Sequence, residues 1–359
     1  MTKKIAELQQ QFYFTNTSIT DDYKYMWISC HNHPSQATYM AVVSLDENDP
    51  SIKAFPGIGS SEPANIPMII PGTHDIIFAE MDTVYRADTD GNVTKILSLP
   101  EEFVNHRQIQ QVFTHASVSC DGKNIALDIR IAEKTYIAVG NLETGEVTIL
   151  NKFGRYYDHA MFSPVDPNLM IIDQDRWRDG DSGEYFPINN RIWLMDIRKT
   201  RFEPLLQNSW YYFDGTDIAH DFWAKDGFIC WADYPNGAYE CDINTRKPVC
   251  VWKRPVCHCH TIEREFWCAD QSPYAWNEKP CEVLFFDRKT GKEIDIFSAL
   301  PAPKIPRKGS YHLDPHPSFT KDSEYIVSTV TVFEGNADIA ITPVRPLIEL
   351  CRKNGRKVE

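Results

Sequence analysis

The chain has 359 residues, of which 42% are hydrophobic and 12% aromatic, and a formal net charge of −13. That is enough apolar material for one large core, while the acidic balance excludes a general nucleic-acid binder, which needs a broad basic surface. No apolar run approaches the roughly 20 residues of a membrane span, and Met1 to Lys4 lead into polar, glutamine-rich sequence instead of a secretory leader, so the expectation is a cytoplasmic protein with neither membrane nor nucleic-acid partners.

In chain order, an alternating run, an acidic or glycine-containing turn and a second alternating run recur seven times. The turns are Asp21-Asp22 before Tyr23 to Ser29, Gly72 to Asp75 before Ile76 to Ala79, and Asp121-Gly122 before Asn124 to Ile129. They continue with Asp166 to Asn168 before Leu169 to Ile172, and Asp226-Gly227 before Phe228 to Ala232. Glu263-Arg264 before Phe266 to Ala269 and Asp322-Ser323 before Tyr325 to Thr329 complete the series. Several repeats close with a readable hairpin, such as Thr135 to Asn141 and Val147 to Leu150 around Glu143 to Gly145. A period of about 40 to 60 residues predicts an all-β fold, a seven-bladed β-propeller, as a single domain over residues 1–359. Phe12 to Thr17 has no blade before it and the last repeat runs out at Ile339 to Thr342, so an N-terminal strand is expected to close the ring and hide both sheet edges. The termini, about residues 1–10 and 346–359, read as irregular or helical. The 10 cysteines form no secreted framework; Cys120, Cys230 and Cys268 sit in strand patterns as small apolar fillers, and no disulfide is expected.

The polar residues follow from that repeat. In a blade, the connections into the innermost strand and those between the second and third strands share one face, and all of the 11 histidines except His74 fall on it. His115, His159, His220, His258 and His316 stand at the upper start of the innermost strand in successive blades. His31 and His33 lie in a loop of the first blade, and His106 and Arg107 in the connection before the third. Two long insertions on the same face, Asp173 to Asn190 and Gln271 to Pro280, carry Trp177, Tyr185, Tyr274 and Trp276, and neighbouring connections add Arg155, Tyr157, Trp210, Tyr211, Arg307 and Lys308. Flat aromatic faces with arginine forks suit an acidic carbohydrate.

Cys257-His258-Cys259-His260 in an extended strand would send both imidazoles to one side, about 7 Å apart, with room for a metal between them. His312 and His316 add two imidazoles a blade later, with Asp314 between them. The expected metal set is therefore His258, His260, His312 and His316 around a divalent cation, Mn2+ or Ca2+, the alternative being a metal-free hydrogen-bonded cluster.

Five stretches together carry a resemblance: Phe14 to Thr17 with Thr20 to Asp22, His159 to Pro164 with Asp166-Pro167, and Asn190 to Leu194; then His220 to Trp223 with Asp226-Gly227, and Asp314 to Phe319. In these the chain resembles the oligogalacturonate lyases. The resemblance implies a seven-bladed cytoplasmic propeller that cleaves short pectin-derived uronides by β-elimination with a divalent metal, usually manganese. By motif, His220 matches the family's catalytic imidazole, Arg191 its catalytic arginine, His316 a metal ligand, and His260 or its neighbour His258 another. The last-blade motif departs from the family's: Tyr311 stands at its glutamine and Asp314 at the first of its two histidines, leaving His312 as a substitute. A second resemblance, in Asp173 to Trp177, Tyr311-His312, Thr329 to Thr331 and Ala337 to Ala340, is to propeller lyases that release rhamnose from a 4-linked glucuronate of arabinogalactan side chains.

The implied chemistry removes the C5 proton of a 4-linked uronate and expels the O4 substituent, giving a 4,5-unsaturated uronate. An imidazole, with an ordinary pKa of about 6.5, suits the base at neutral pH, so His220 is expected to take the proton. A metal or Arg191 would neutralise the substrate carboxylate, with Tyr157 as the acid for the leaving oxygen. His115, His159, Trp177, Tyr211 and Arg107 are the expected sugar contacts. The non-enzyme alternative is a propeller that binds a carbohydrate or protein without catalysis; there is no Gly-x-Ser-x-Gly elbow to support a hydrolase.

Overall fold

In the computed structural model, strands dominate from end to end, and the described helices are Glu101–Val104 and Val344–Asn354. The structure describes residues 4–32, 38–59, 65–105, 107–132, 134–175, 177–178, 182–186, 188, 190–206, 217–271, 281–301, 314–331 and 336–358. Among these, no helix is long and apolar enough to cross a membrane. The chain divides into two compact units, Met1–Ile58 with Thr216–Glu359, and Gly59–Gly215.

The first unit joins the two ends of the chain. Leu8–Gln10 pairs antiparallel with Tyr25–His31 and parallel with Ala337–Pro343, so the first and last hairpins lie in one seven-stranded sheet. The strand that does this is Leu8–Gln10, and not Phe12 to Thr17 as the alternation predicts. The latter stretch is bent by local bonds: the Phe12 N–H donates to Ser18 Oγ at 2.6 Å and the Asn16 N–H to the Tyr13 carbonyl at 2.8 Å. The turn drops Phe14 into a core shared with Phe222, Trp252, Trp267 and Phe286. That core lies between a four-stranded sheet (Ile218–Trp223, Ile229–Asp233, Gly237–Cys241, Pro248–Trp252) and a five-stranded one beginning at Cys259–His260 and Phe266–Gln271. Val344, Leu347 and Cys351 of the C-terminal helix pack on Cys268, Phe285 and Ile326, and Arg356–Lys357 then adds the fifth strand by pairing with Lys292–Leu300. Gly237 is required where it stands: its φ is 131°, and a Cβ there would sit 2.0 Å from the Trp252 carbonyl oxygen.

The second unit holds three four-stranded antiparallel sheets and a two-stranded ribbon, Trp177–Arg178 with Tyr185–Phe186, inside the first long insertion. Ile77, Val84, Leu97, Ile125 and Leu127 fill one core, and Ile137, Phe162, Met170, Ile172 and Met195 another. Each sheet is a meander whose inward residues alternate with outward ones, as the period-2 patterns require.

All ten cysteines are free thiols. Cys230 and Cys268 fill core positions, whereas Cys120 is exposed, in the turn ahead of Asn124–Ile131 and outside the strand where its pattern places it.

Candidate functional site

Three histidines sit on distorted backbone. His159, His220 and His316 have φ of 52°, 53° and 46°, a left-handed region that L-residues other than Gly, Asn, Asp and His rarely enter. In two cases the cause is a bulge. Ile218–Trp223 slips register against Ile229–Asp233 between Ala219 and Phe222, and Tyr157–Phe162 slips against Leu169–Gln174 between Asp158 and Met161. Bulges re-aim side chains and gather near sites of chemistry.

In the first unit this brings three imidazoles together. The His220 and His258 rings lie 3.9 Å apart centre to centre at 27°, and His316 stands 4.3 Å from His258 at 69°. Tyr13 covers them, 4.8 Å from His316 and 5.8 Å from His258. The carboxylate of Asp270, fully buried in Phe266–Gln271, ties two of the three in place. One oxygen accepts the His258 backbone N–H at 2.9 Å and its Nδ1–H at 3.0 Å, and the other accepts the His316 N–H at 2.9 Å. From the opposite side, Gln11 Nε2 donates to the carbonyls of Pro315 and Val327, both at 3.1 Å.

These bonds set the tautomers. A carboxylate and a carbonyl only accept, so His258 carries its proton on Nδ1 toward Asp270. His220 likewise donates Nδ1–H to the Cys257 carbonyl at 2.6 Å. Both rings therefore carry the basic lone pair on Nε2. The Tyr234 hydroxyl lies 3.3 Å from each ring nitrogen of His220. Two donor sets result, each with its ligand atoms within 4.8 Å of one another: His258, Asp314 and His316, all buried, and His220, Cys257 and His258.

The expected residues fare differently. His258 and His316 come together. His260 does not join them: its Nδ1 accepts the Phe319 N–H at 3.0 Å, and its ring stacks on Phe222 at 5.2 Å. Burial pushes its pKa down to about 3, as for a core histidine. The even alternation assumed for Cys257 to His260 fails because only Cys259–His260 is regular strand, His258 being drawn to Asp270 instead. His312 and Tyr211 lie outside the described residues, as do His33, His106, Trp210, Tyr274, Trp276, Arg307 and Lys308 and the side chain of Trp177. Arg107 is described and exposed. Asp314, noted in the sequence as a carboxylate between His312 and His316 but left out of the expected ligand set, supplies the carboxylate of the donor set. Asp270 and Tyr234 are missing from the sequence reading, Asp270 being signalled only by an acidic residue within an apolar strand.

The second unit has its own polar cluster. His115 and His159 face each other edge-on at 4.9 Å, and His159 Nδ1 lies 2.8 Å from Asp158. Arg191 is buried and paired with Asp173 at 2.7 Å and Asp175 at 3.4 Å, so its charge is already answered by carboxylates of its own. Beneath them Asp128 accepts the N–H groups of Thr114 and Ala160 and the Gln111 amide. Burial, reinforced by the nearby Asp158 charge, raises the Asp128 pKa to about 7. Burial likewise depresses His115 well below the ordinary imidazole range. Tyr157 is not a rim hydroxyl. Its ring is buried, stacked on Phe153 at 4.0 Å and edge-on to Trp193 at 6.0 Å, and burial raises its pKa.

The architecture is that of solved sugar-acid lyases. A structure of an oligogalacturonate lyase in complex with manganese superposes at a TM-score of 0.74, covering 93% of this chain and 90% of that one at 16% identity. The oligogalacturonate lyase of Vibrio parahaemolyticus superposes at 0.73, covering 94% and 91% at 15% identity. In sequence, the chain is similar to the oligogalacturonate lyase of Dickeya dadantii (strain 3937), 22% identical over 210 residues, or 54% of this chain and 51% of that protein. The chain thus spans about half the length of the curated relative it matches. No family model matches it.

Proposed function

We propose that this protein is a carbon–oxygen lyase that cleaves uronate-containing oligosaccharides by β-elimination, in the manner of the oligogalacturonate lyases. The observation that carries the reading is the buried group of His258, Asp314 and His316 with His220 stacked beside it, on a fold shared with an enzyme whose structure contains manganese. Two imidazoles and a carboxylate suit a first-row cation such as Mn2+ better than Ca2+, which prefers an all-oxygen shell. The Asp270 bond to His258 Nδ1 is the outer support that metal-bound histidines ordinarily have. A cation held by His258, Asp314 and His316 supplies charge neutralisation for the substrate carboxylate, which acidifies the adjacent C5–H.

The chain's own residues do the rest. His220, held by the Cys257 carbonyl with its lone pair on Nε2, takes the C5 proton. The C4–O4 bond then breaks, its electrons leaving on O4 as the C4=C5 double bond forms; no water is consumed. Tyr234, in contact with His220, is the hydroxyl placed to return a proton to the departing oxygen, the role first expected of Tyr157. His115, His159 and Arg191 lie in the other unit, where Arg191 is already paired with Asp173 and Asp175, and they take no step in this scheme.

The test is absorbance from the 4,5-unsaturated product during incubation with di- and trigalacturonate and with rhamnosyl-glucuronate, with and without chelator. Product from galacturonides that vanishes on chelation and falls at least about 100-fold in His220→Ala is expected, the scale of a lost general base. Product only from rhamnosyl-glucuronate changes the sugar and keeps the chemistry. No product from either substrate, or a His220→Ala rate within a few-fold of wild type, overturns the proposal.

A further inference from the structure

We propose that His220, Cys257 and His258 form a second, sulfur-containing metal site that takes thiophilic cations such as Zn2+, and that filling it excludes a cation from His258, Asp314 and His316. The inference rests on the proposed reaction only for its consequence, inhibition; the site itself rests on geometry.

The two donor sets share His258, and in each the ligand atoms lie within 4.8 Å of one another. They differ in one donor, a thiol against a carboxylate. Cys257 is buried beside both imidazoles, and the His220 ring is fastened to the carbonyl of Cys257 itself, so base and sulfur are held as neighbours. Zn–N and Zn–S bonds of about 2.0 and 2.3 Å put tetrahedral donors about 3.3 to 3.8 Å apart. The donors need to close by about 1 Å, within reach of small side-chain rotations. Three protein donors leave the fourth position to water.

Donor softness then sorts the metals. A thiolate favours Zn2+ or Co2+ over Mn2+, while the set with the carboxylate of Asp314 accepts Mn2+ as well as zinc. Binding replaces the S–H bond with a sulfur–metal bond, and the thiol proton passes to solvent. His258 has one Nε2 lone pair, so it serves one cation at a time. A zinc ion on the sulfur side takes that ligand and also the His220 lone pair that the elimination needs. The protein should therefore be inhibited by stoichiometric zinc, with manganese relieving the inhibition only by competition for His258.

Cobalt reports the sulfur directly, through a near-ultraviolet thiolate-to-cobalt charge-transfer band. Wild-type protein with one equivalent of Co2+ should show the band, and Cys257→Ser should lose it, as should Cys257→Ala if serine disturbs folding. Cys281→Ser, at a buried neighbouring thiol, should keep it. Calorimetry should show zinc affinity falling on the order of 100-fold in Cys257→Ser, as for loss of one donor of a compact zinc site, with manganese still bound. Wild-type protein that binds cobalt without the band, or a Cys257→Ser variant that binds zinc as tightly as wild type, overturns the second site and leaves the lyase reading standing. A wild-type protein that shows the band but makes no unsaturated product overturns the lyase reading and leaves the second site standing.

Discussion

Replacing Asp270 by Asn separates the support of the histidines from their chemistry. Asp270 accepts from three donors, the His258 N–H at 2.9 Å, its Nδ1–H at 3.0 Å and the His316 N–H at 2.9 Å, with no exposure to solvent. An asparagine of the same shape keeps one accepting oxygen and turns an NH2 toward the other donor side. One charge-assisted bond, about 1.5–3 kcal/mol, is lost outright, and a buried N–H left facing a donor costs a further 1–3 kcal/mol or so. Relief of a buried charge offsets part of this, leaving a net loss of about 2–4 kcal/mol against the roughly 5–15 kcal/mol that holds a domain together. The ring of His258 then faces a neutral amide oxygen in place of a carboxylate, and weakening such an outer support lowers metal affinity by up to about 10–100-fold. Urea unfolding followed by far-ultraviolet circular dichroism measures the first effect and manganese calorimetry the second. A variant within about 1 kcal/mol of wild type that binds manganese unchanged would refute the assignment of Asp270 as the common support of His258 and His316.

Asp128 gives a pH dependence of defined sign. Burial raises its pKa to about 7 in the folded chain, against about 3.9 unfolded, so the native state holds the proton through that window. Stability from this group is fully present below pH 4 or so and is lost as pH rises through 7. Asp128→Asn, which cannot ionise but turns an NH2 toward one of the three donors, should be less stable than wild type near pH 4 and close that gap toward pH 8 in urea unfolding; parallel curves would show that the carboxylate is not held protonated. Arg191→Ala removes the guanidinium 2.7 Å from the buried Asp173 carboxylate, leaving His159 at 4.0 Å, and should cost about 3–5 kcal/mol, partly recovered by adding Asp173→Asn. A variant of unchanged stability with only a raised KM would instead make Arg191 a substrate contact.

The turns were the most readable part of the chain because their chemistry is local. Asp121-Gly122 and Asp226-Gly227 put glycine at φ of 74° and 84°, where it alone is unstrained. The joining strand was not readable: Leu8–Gln10 is Leu-Gln-Gln, with no β-branched residue, and owes its conformation to partners at Ala337 and at Ser29 to His31. Tyr157 shows the limit of periodicity, which places an aromatic on a strand without saying which apolar neighbours will claim it; Phe153 and Trp193 did. In the site, His258 and His316 stand in motifs, but Asp270 acts on a backbone N–H 46 residues away. A contact of that range leaves no mark on local sequence.

Asp270 also has a counterpart, and comparing the two shows what turns a frame into a site. Asp128 and Asp270 each lie fully buried in the strand next to the first of their sheet, and each accepts backbone N–H groups from two separate segments. In both frames a left-handed histidine stands at the second segment, His159 and His316. That conformation costs about 1–2 kcal/mol, which a carboxyl bond to the N–H of the histidine or of the residue after it is large enough to offset. Both frames present facing imidazole pairs, His115 with His159 and His258 with His316. Yet among the described residues only the second offers compact metal-donor sets. In the first frame the residue ahead of the strained histidine, Asp158, turns back to its own imidazole. In the second, Asp314 stands two residues ahead, with Pro315 between, and joins His258 instead. The repeated histidines thus go with the buried-carboxylate frame, and the chemistry belongs to the acid and the thiol added to one copy of it.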